Sequence, residues 1–124
     1  MIYAYQLSPI LMVIPAIILK YLTGKKLFLY CCDLWPESCE AFISRNSFFY
    51  KVIKFFSTWI YRQSDVIGVE SEDFLDYFVR RHQIDKNRLL YIPQFADSSY
   101  LDKDFAKPHE NINFVFLGNV GKAQ

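Results

Sequence analysis

The chain has 124 residues, 52% of them hydrophobic and 22% charged, with a formal net charge of +1. This is one ordinary domain or a piece of a larger one, with enough apolar matter for a real core, so a disordered chain is excluded. The balanced charge offers no broad basic field, so nucleic acid is not an expected partner.

In chain order, "IYAYQL" predicts a short strand over Ile2–Tyr5. Ser8 followed by Pro9 is a helix start, a hydroxyl cap with proline at the first helical position. That helix is expected to run to about Tyr21 and to stop at Thr23-Gly24. The stretch Leu7 to Leu22 is nearly all apolar. No basic segment precedes it and no small-residue cleavage site follows, so it is not a signal peptide. It is short of the roughly 20 apolar residues of a membrane span and contains Pro9 and Pro15. Two readings stand: a helix buried in a large α/β protein, or one embedded in a membrane.

Lys26–Cys31 is a continuous apolar run of strand length, the pattern of a central parallel strand buried on both faces. Three cysteines, Cys31, Cys32 and Cys39, are odd in number and form no C-x-x-C pair. They make neither a disulfide framework nor a zinc site and read as thiols in a reducing compartment. After "DLWPES", the residues Phe48 to Gln63 recur at helical spacing, with Lys51, Lys54, Thr58 and Arg62 on one face. Val66–Val69 reads as a strand, "SEDFLDYFVRRHQ" as a helix capped by Ser71 with acids in its first turn, and Leu89–Ile92 as a further strand. Strands alternating with helices predict an α/β fold: a Rossmann-like parallel sheet with crossover helices. Phe95 to Asn111 is polar and irregular, as a linker is. A last strand, Asn113–Leu117, is expected outside the first sheet. The chain stops where a helix should start, which reads as a truncation.

Two motifs carry candidate chemistry. "CCDLWPES" leaves the carboxyl end of a strand, where open α/β sheets bind ligands. Asp33 and Glu37 there either cap a turn or work in a cleft, and Trp35 either packs or stacks on a sugar or lipid. In "GNVGKAQ", Gly118 and Gly121 sit in a strand-to-helix turn beside Lys122. Backbone N–H groups with a lysine cradle phosphate; the alternative is a plain tight turn. A Walker loop fails, because Phe116 stands at its first glycine and Ala123 follows the lysine, and the dinucleotide fingerprint is missing too. The Lys51, Lys54 and Arg62 face either lies against anionic lipid or is solvated. Neither His82 nor His109 is given a role, and no cluster has metal spacing.

Taken in order, "YQLSPILMVIPAIILK", "LYCCDLWPES", "IYRQSDVIGVES", "LLYIPQFAD" and "FVFLGNVGKAQ" resemble the middle of bacterial glycosyltransferases of family 4, of GT-B architecture and capsule or O-antigen type. The resemblance implies a retaining transfer of a sugar from a nucleotide diphosphate to a lipid-linked or saccharide acceptor. The nucleotide-sugar would be a co-substrate, with no metal or other cofactor. Residues 1–96 would be the second half of the acceptor-side domain, 97–111 the linker, and 112–124 the first strand and glycine loop of the donor domain. Asp33 would be the catalytic residue, with Trp35 and Glu37 on the acceptor side. Gly118, Gly121 and Lys122 would bind the donor diphosphate. Related enzymes carry a His-Asp pair where this chain has Cys32 and Asp33, a departure that removes a histidine role. The family's opening glycine-rich loop and its E-x7-E motif are absent, so the chain alone is expected to be inactive. The place implied is the cytoplasm, at the inner face of the cell membrane. The alternatives are a small membrane-anchored or interaction protein using Leu7 to Leu22, and another Rossmann-type nucleotide binder.

Overall fold

Four strands, Ile2–Gln6 (β1), Leu27–Cys31 (β2), Val66–Val69 (β3) and Leu89–Tyr91 (β4), pair in parallel in the order β1-β2-β3-β4. The computed structural model of the protein describes residues 1–95, 97 and 98. Helices Ile14–Thr23 (α1), Phe48–Gln63 (α2) and Glu72–His82 (α3) form the crossovers. The chain is therefore an α/β protein with a Rossmann-like, all-parallel sheet flanked by helices. The linker 97–111, apart from Asp97 and Ser98, and the segment 112–124 with its strand Asn113–Leu117 lie outside the described residues.

Register explains the core. Ile2 opposes Leu27, Leu29 opposes Ile67, and Ile67 opposes Leu89, so these alternate residues share one face. They pack with Val13, Ile17, Ile60, Tyr61 and Phe78 in one buried cluster. Strand order equal to chain order has a geometric consequence. Right-handed crossovers that all step the same way put every helix on the same side. The second face carries Tyr3, Tyr5, Phe28, Tyr30, Gly68 and Leu90, and no helix among the described residues covers it. β2 is central and buried as expected at Leu27, Leu29, Tyr30 and Cys31, with Phe28 half-buried, but on the second face its cover among the described residues is aromatic side chains and not a helix. Tyr30 is buried, but by stacking on Tyr5 with ring centres 5.5 Å apart and by donating to the Ile92 carbonyl at 3.0 Å.

Gly68 lies under these rings. A Cβ there would stand 2.8 Å from Phe28 Cζ and 3.1 Å from both Tyr30 Cδ2 and Ile92 Cδ1. Gly68→Val should therefore cost about 1–3 kcal/mol of stability through overpacking, read as a fall in the urea midpoint. An unchanged midpoint would mean that the aromatic layer yields freely.

The helix ends are locally encoded. Pro15 stands in the first turn of α1, where its missing N–H is no loss. Gly24 closes that helix at φ 66, its N–H donating to the Lys20 carbonyl at 2.8 Å, a left-handed position that glycine fills without strain. Lys20 also pairs with Asp65 at 2.8 Å. The side chain of Ser47 caps α2 by accepting from Phe49 N–H at 3.2 Å. In α3, Glu72 and Asp73 open the helix and Arg80, Arg81 and His82 end it, matching its dipole.

Two cap readings are corrected. Ser71 occupies the cap position of α3 but its side chain makes no capping bond. Ser8 caps nothing, because Pro9 and not Ser8 occupies the cap position of the turn that follows. Pro9 opens only a 3-10 turn, Ile10–Val13, and the α-helix starts four residues later. The apolar stretch Leu7 to Leu22 is thus broken in two. Ile10, Val13 and Ile17 are buried against the sheet, whereas Leu11, Met12, Ile18, Leu19 and Leu22 are exposed. No helix among the described residues is long and apolar enough to cross a membrane.

Candidate functional site

The carboxyl ends of β1 and β2 are adjacent, with Gln6 opposite Cys31. The chain leaving each end supplies one wall of a small polar cluster. Ser8 donates its hydroxyl to Asp33 Oδ2 at 2.6 Å, and Trp35 Nε1–H donates to Ser8 Oγ at 3.3 Å. Asp33 is thereby fixed beside the indole at the mouth of the sheet. Its backbone is held too: Gln6 Nε2 donates to the Asp33 carbonyl at 3.0 Å and the Cys31 thiol to the same oxygen at 3.3 Å. Gln6 also donates to the Leu7 carbonyl at 3.0 Å, and two carbonyl acceptors fix which way its amide points. That leaves Gln6 Oε1 buried without a hydrogen-bond partner.

The rest of "DLWPES" is pinned from beneath. Trp35 N–H donates to the phenol oxygen of Tyr61 at 3.0 Å, and Tyr61 is wholly buried. Tyr77 donates its hydroxyl to Glu37 Oε2, with the Trp35 carbonyl 3.2 Å away, and Arg81 pairs with Glu37 at 3.4 Å. The His82 ring lies 1% exposed, its Nε2 3.0 Å from the Tyr77 hydroxyl and its Nδ1 2.8 Å from Thr58 Oγ1. Since Tyr77 spends its one proton on Glu37, His82 must donate from Nε2 and accept from Thr58 at Nδ1. The chain Thr58–His82–Tyr77–Glu37 so links α2, α3 and the loop, with every proton placed. Burial, then the charges of Lys54, Arg81 and Arg62, hold the imidazole pKa down to about 4. Burial, then the hydrogen bond to Glu37, pushes the Tyr77 phenol well up.

The cysteines are not poised as nucleophiles. Burial raises the thiols of Cys31, Cys32 and Cys39 above their ordinary range, so the reactive thiolate is disfavoured. The neighbouring Cys32 thiol, more than burial, pushes the Tyr5 hydroxyl up to about 12.

The structure thus brings Asp33 and Trp35 together through Ser8, and it turns Glu37 toward α3. Lys51, Lys54 and Arg62 line a shallow cleft of about 390 Å³ with Phe55, Thr58 and Trp59. Arg62 is committed within it, donating to the His82 carbonyl at 3.3 Å and to Gln83 Oε1 at 3.2 Å. Beside these cations α2 exposes Phe48, Phe49, Phe55, Phe56 and Trp59. Gly118, Gly121 and Lys122 lie outside the described residues. Sequence reasoning missed Ser8, Tyr61, Tyr77 and His82, whose partners come from distant elements; only the run of polar-tipped aromatics in α2 and α3 hints at them. Comparison with protein-family models, with curated proteins and with solved structures finds no match to the chain.

Proposed function

We propose that the chain is the acceptor-side part of a retaining glycosyltransferase, which moves a sugar from a nucleotide diphosphate to a lipid-linked or saccharide acceptor. The observation that carries this reading is the carboxylate of Asp33, oriented by Ser8 beside Trp35 at the carboxyl ends of parallel strands, where open α/β sheets take ligands. It is joined by the ordered motifs that resemble family 4 glycosyltransferases. Asp33 orients the acceptor hydroxyl and draws on its proton, and the indole gives the sugar or its carrier a flat apolar wall. Gly118, Gly121 and Lys122 receive the leaving diphosphate through backbone N–H groups and one cation. No metal and no cofactor besides the nucleotide-sugar enters this scheme. The site belongs on the cytoplasmic side of the cell membrane, with the aromatic stripe of α2 and the amines of Lys51 and Lys54 toward the lipid headgroups.

Transfer of a labelled sugar in the two-domain enzyme tests the reading. Asp33→Asn should lower turnover about a hundredfold, the smaller end of what a general base contributes, with nucleotide binding nearly intact. Lys122→Ala should weaken donor turnover about tenfold, as the loss of one charge-assisted hydrogen bond requires. Loss of nucleotide binding in Asp33→Asn would put that residue on the wrong side of the cleft. Full activity in both variants would end the catalytic reading. In flotation with anionic liposomes, Lys51→Glu with Lys54→Glu should reduce binding; unchanged binding returns that face to solvent.

A further inference from the structure

The second face of the sheet carries a groove of about 430 Å³ that the Asp33 cluster does not use. The rings of Tyr3, Tyr5, Phe28 and Tyr30 line it from β1 and β2, and Ile92 and Gln94 line it from the chain leaving β4. The rings form two stacked pairs, Tyr3 with Phe28 at 5.6 Å between centres and Tyr5 with Tyr30 at 5.5 Å. None of the described residues that line the groove is basic. Alternation carries the same face past the strand ends. Glu70, two residues after Gly68, falls on it just beyond the carboxyl end of β3. This carboxylate is half-buried and accepts from Gln94 Nε2 at 2.6 Å. Burial, then the nearby Cys32 and Glu70, raises the Tyr30 phenol above its ordinary range, so the field of the Glu70 carboxylate reaches the rings.

Charge decides what fits. The face of an aromatic ring is the negative part of its quadrupole and attracts a cation. Here four rings and one carboxylate meet at a groove whose described lining holds no cation of its own. A phosphate or a nucleotide would face the Glu70 charge with no basic residue to offset it. A free sugar would find polar groups already spent, since Tyr30 donates to the Ile92 carbonyl at 3.0 Å and Gln94 donates to Glu70. A neutral hydrocarbon would pack on the rings but gain nothing from the carboxylate. We infer that the groove binds an organic cation with an apolar body, a quaternary ammonium or a protonated amine, its charge lying against the rings and toward Glu70. Such binding goes beyond sugar transfer and does not depend on it.

Proton NMR of choline and of benzyltrimethylammonium, titrated with the full chain, tests this without any turnover. The N-methyl signal of each should move upfield and saturate, because protons over an aromatic face are shielded. Benzyltrimethylammonium should bind more tightly than choline, since its ring adds apolar area. Dimethylbutanol, the uncharged isostere of choline, should bind about tenfold more weakly, as loss of the cation–π term requires, and dimethylbutanoate should not bind. Glu70→Gln keeps a partner for Gln94 and removes the charge, and should weaken choline about fivefold. Tyr3→Leu, at a position 58% exposed, keeps apolar bulk and removes one ring face, and should weaken it by a similar factor. The far-UV spectrum of both variants should match the parent. No saturable shift, equal affinity for choline and its isostere, or unaltered binding in either variant overturns the proposal. Loss of binding in Trp59→Ser would also overturn it, by placing the cation on the aromatic stripe of α2. So would dimerisation, followed by sedimentation, that Tyr3→Leu weakens and choline does not disperse, since a second copy would then be the occupant.

Discussion

Tyr61→Ala should destabilise the protein by about 3–5 kcal/mol, the range for removing a buried aromatic ring from a packed core. The ring is fully buried, with Phe78 at 4.8 Å and His82 at 4.8 Å, both edge-on. Its loss would open a cavity between α2, α3 and the sheet at a point where all three meet. Tyr61→Phe separates the two jobs of this side chain. It keeps the ring and removes the oxygen that accepts from Trp35 N–H, so about 1–3 kcal/mol is expected, the cost of an unmet buried donor. Urea unfolding checks both numbers. Trp35 emission checks the second effect, since Tyr61→Phe should shift it before any unfolding begins. Equal losses in the two variants would mean that the hydroxyl, not the ring, dominates.

Acidification should be nearly as costly. The His82 imidazole is held at about 4, below its ordinary 6.5, because charging it means desolvating a cation in a site already faced by Lys54, Arg81 and Arg62. The folded protein therefore resists a proton that the unfolded chain accepts. Above pH 6.5 neither state is charged and this group is silent. As pH falls from 6.5 toward 4, the unfolded state binds more protons and stability drops. Below that, both states are protonated and the loss levels off. The total is about 3 kcal/mol, from the linkage between pKa and stability. Urea midpoints measured across this window should fall steeply in the parent and much less in His82→Gln. A parent curve as flat as that of the variant would show that His82 does not titrate with folding.

Much of the fold could be read along the chain. The runs Leu27–Cys31 and Val66–Val69 are apolar and short, and each is a strand, the first beginning one residue after the expected Lys26. The helix Phe48–Gln63 was legible to the residue, since its spacing is a local signal; the Ser47 cap that opens it is local too but was not read. What escaped was whatever depends on distant partners. Ser8 before Pro9 satisfies every local rule for a cap, yet Pro9 itself takes the cap position of the turn and the Ser8 hydroxyl donates to Asp33 at 2.6 Å while its oxygen accepts from Trp35. The pairing of Tyr77 with Glu37 joins residues far apart in sequence, and nothing near either one announces it. That no helix among the described residues covers the second face was hidden for a related reason. Tyr3, Tyr5, Phe28 and Tyr30 have the composition of a buried face, while strand order, which decides where helices go, is written in no single segment. That Asp33 follows a strand end was legible because strand ends are local. Its orientation was not, because Ser8 and Trp35 come from two different loops.

Strand order equal to chain order also bears on how the molecule is made. Among the described strands, each pairs with the one completed just before it. β2 can dock on β1 as soon as α1 has formed, and β3 on β2 after α2. Sheets that reverse direction must hold an open edge until a later strand returns to it, and their distant pairings slow the search. Here the growing edge is always the youngest strand. Among the described elements, the sheet can therefore grow outward from β1 in chain order, with its helical layer closing over one side.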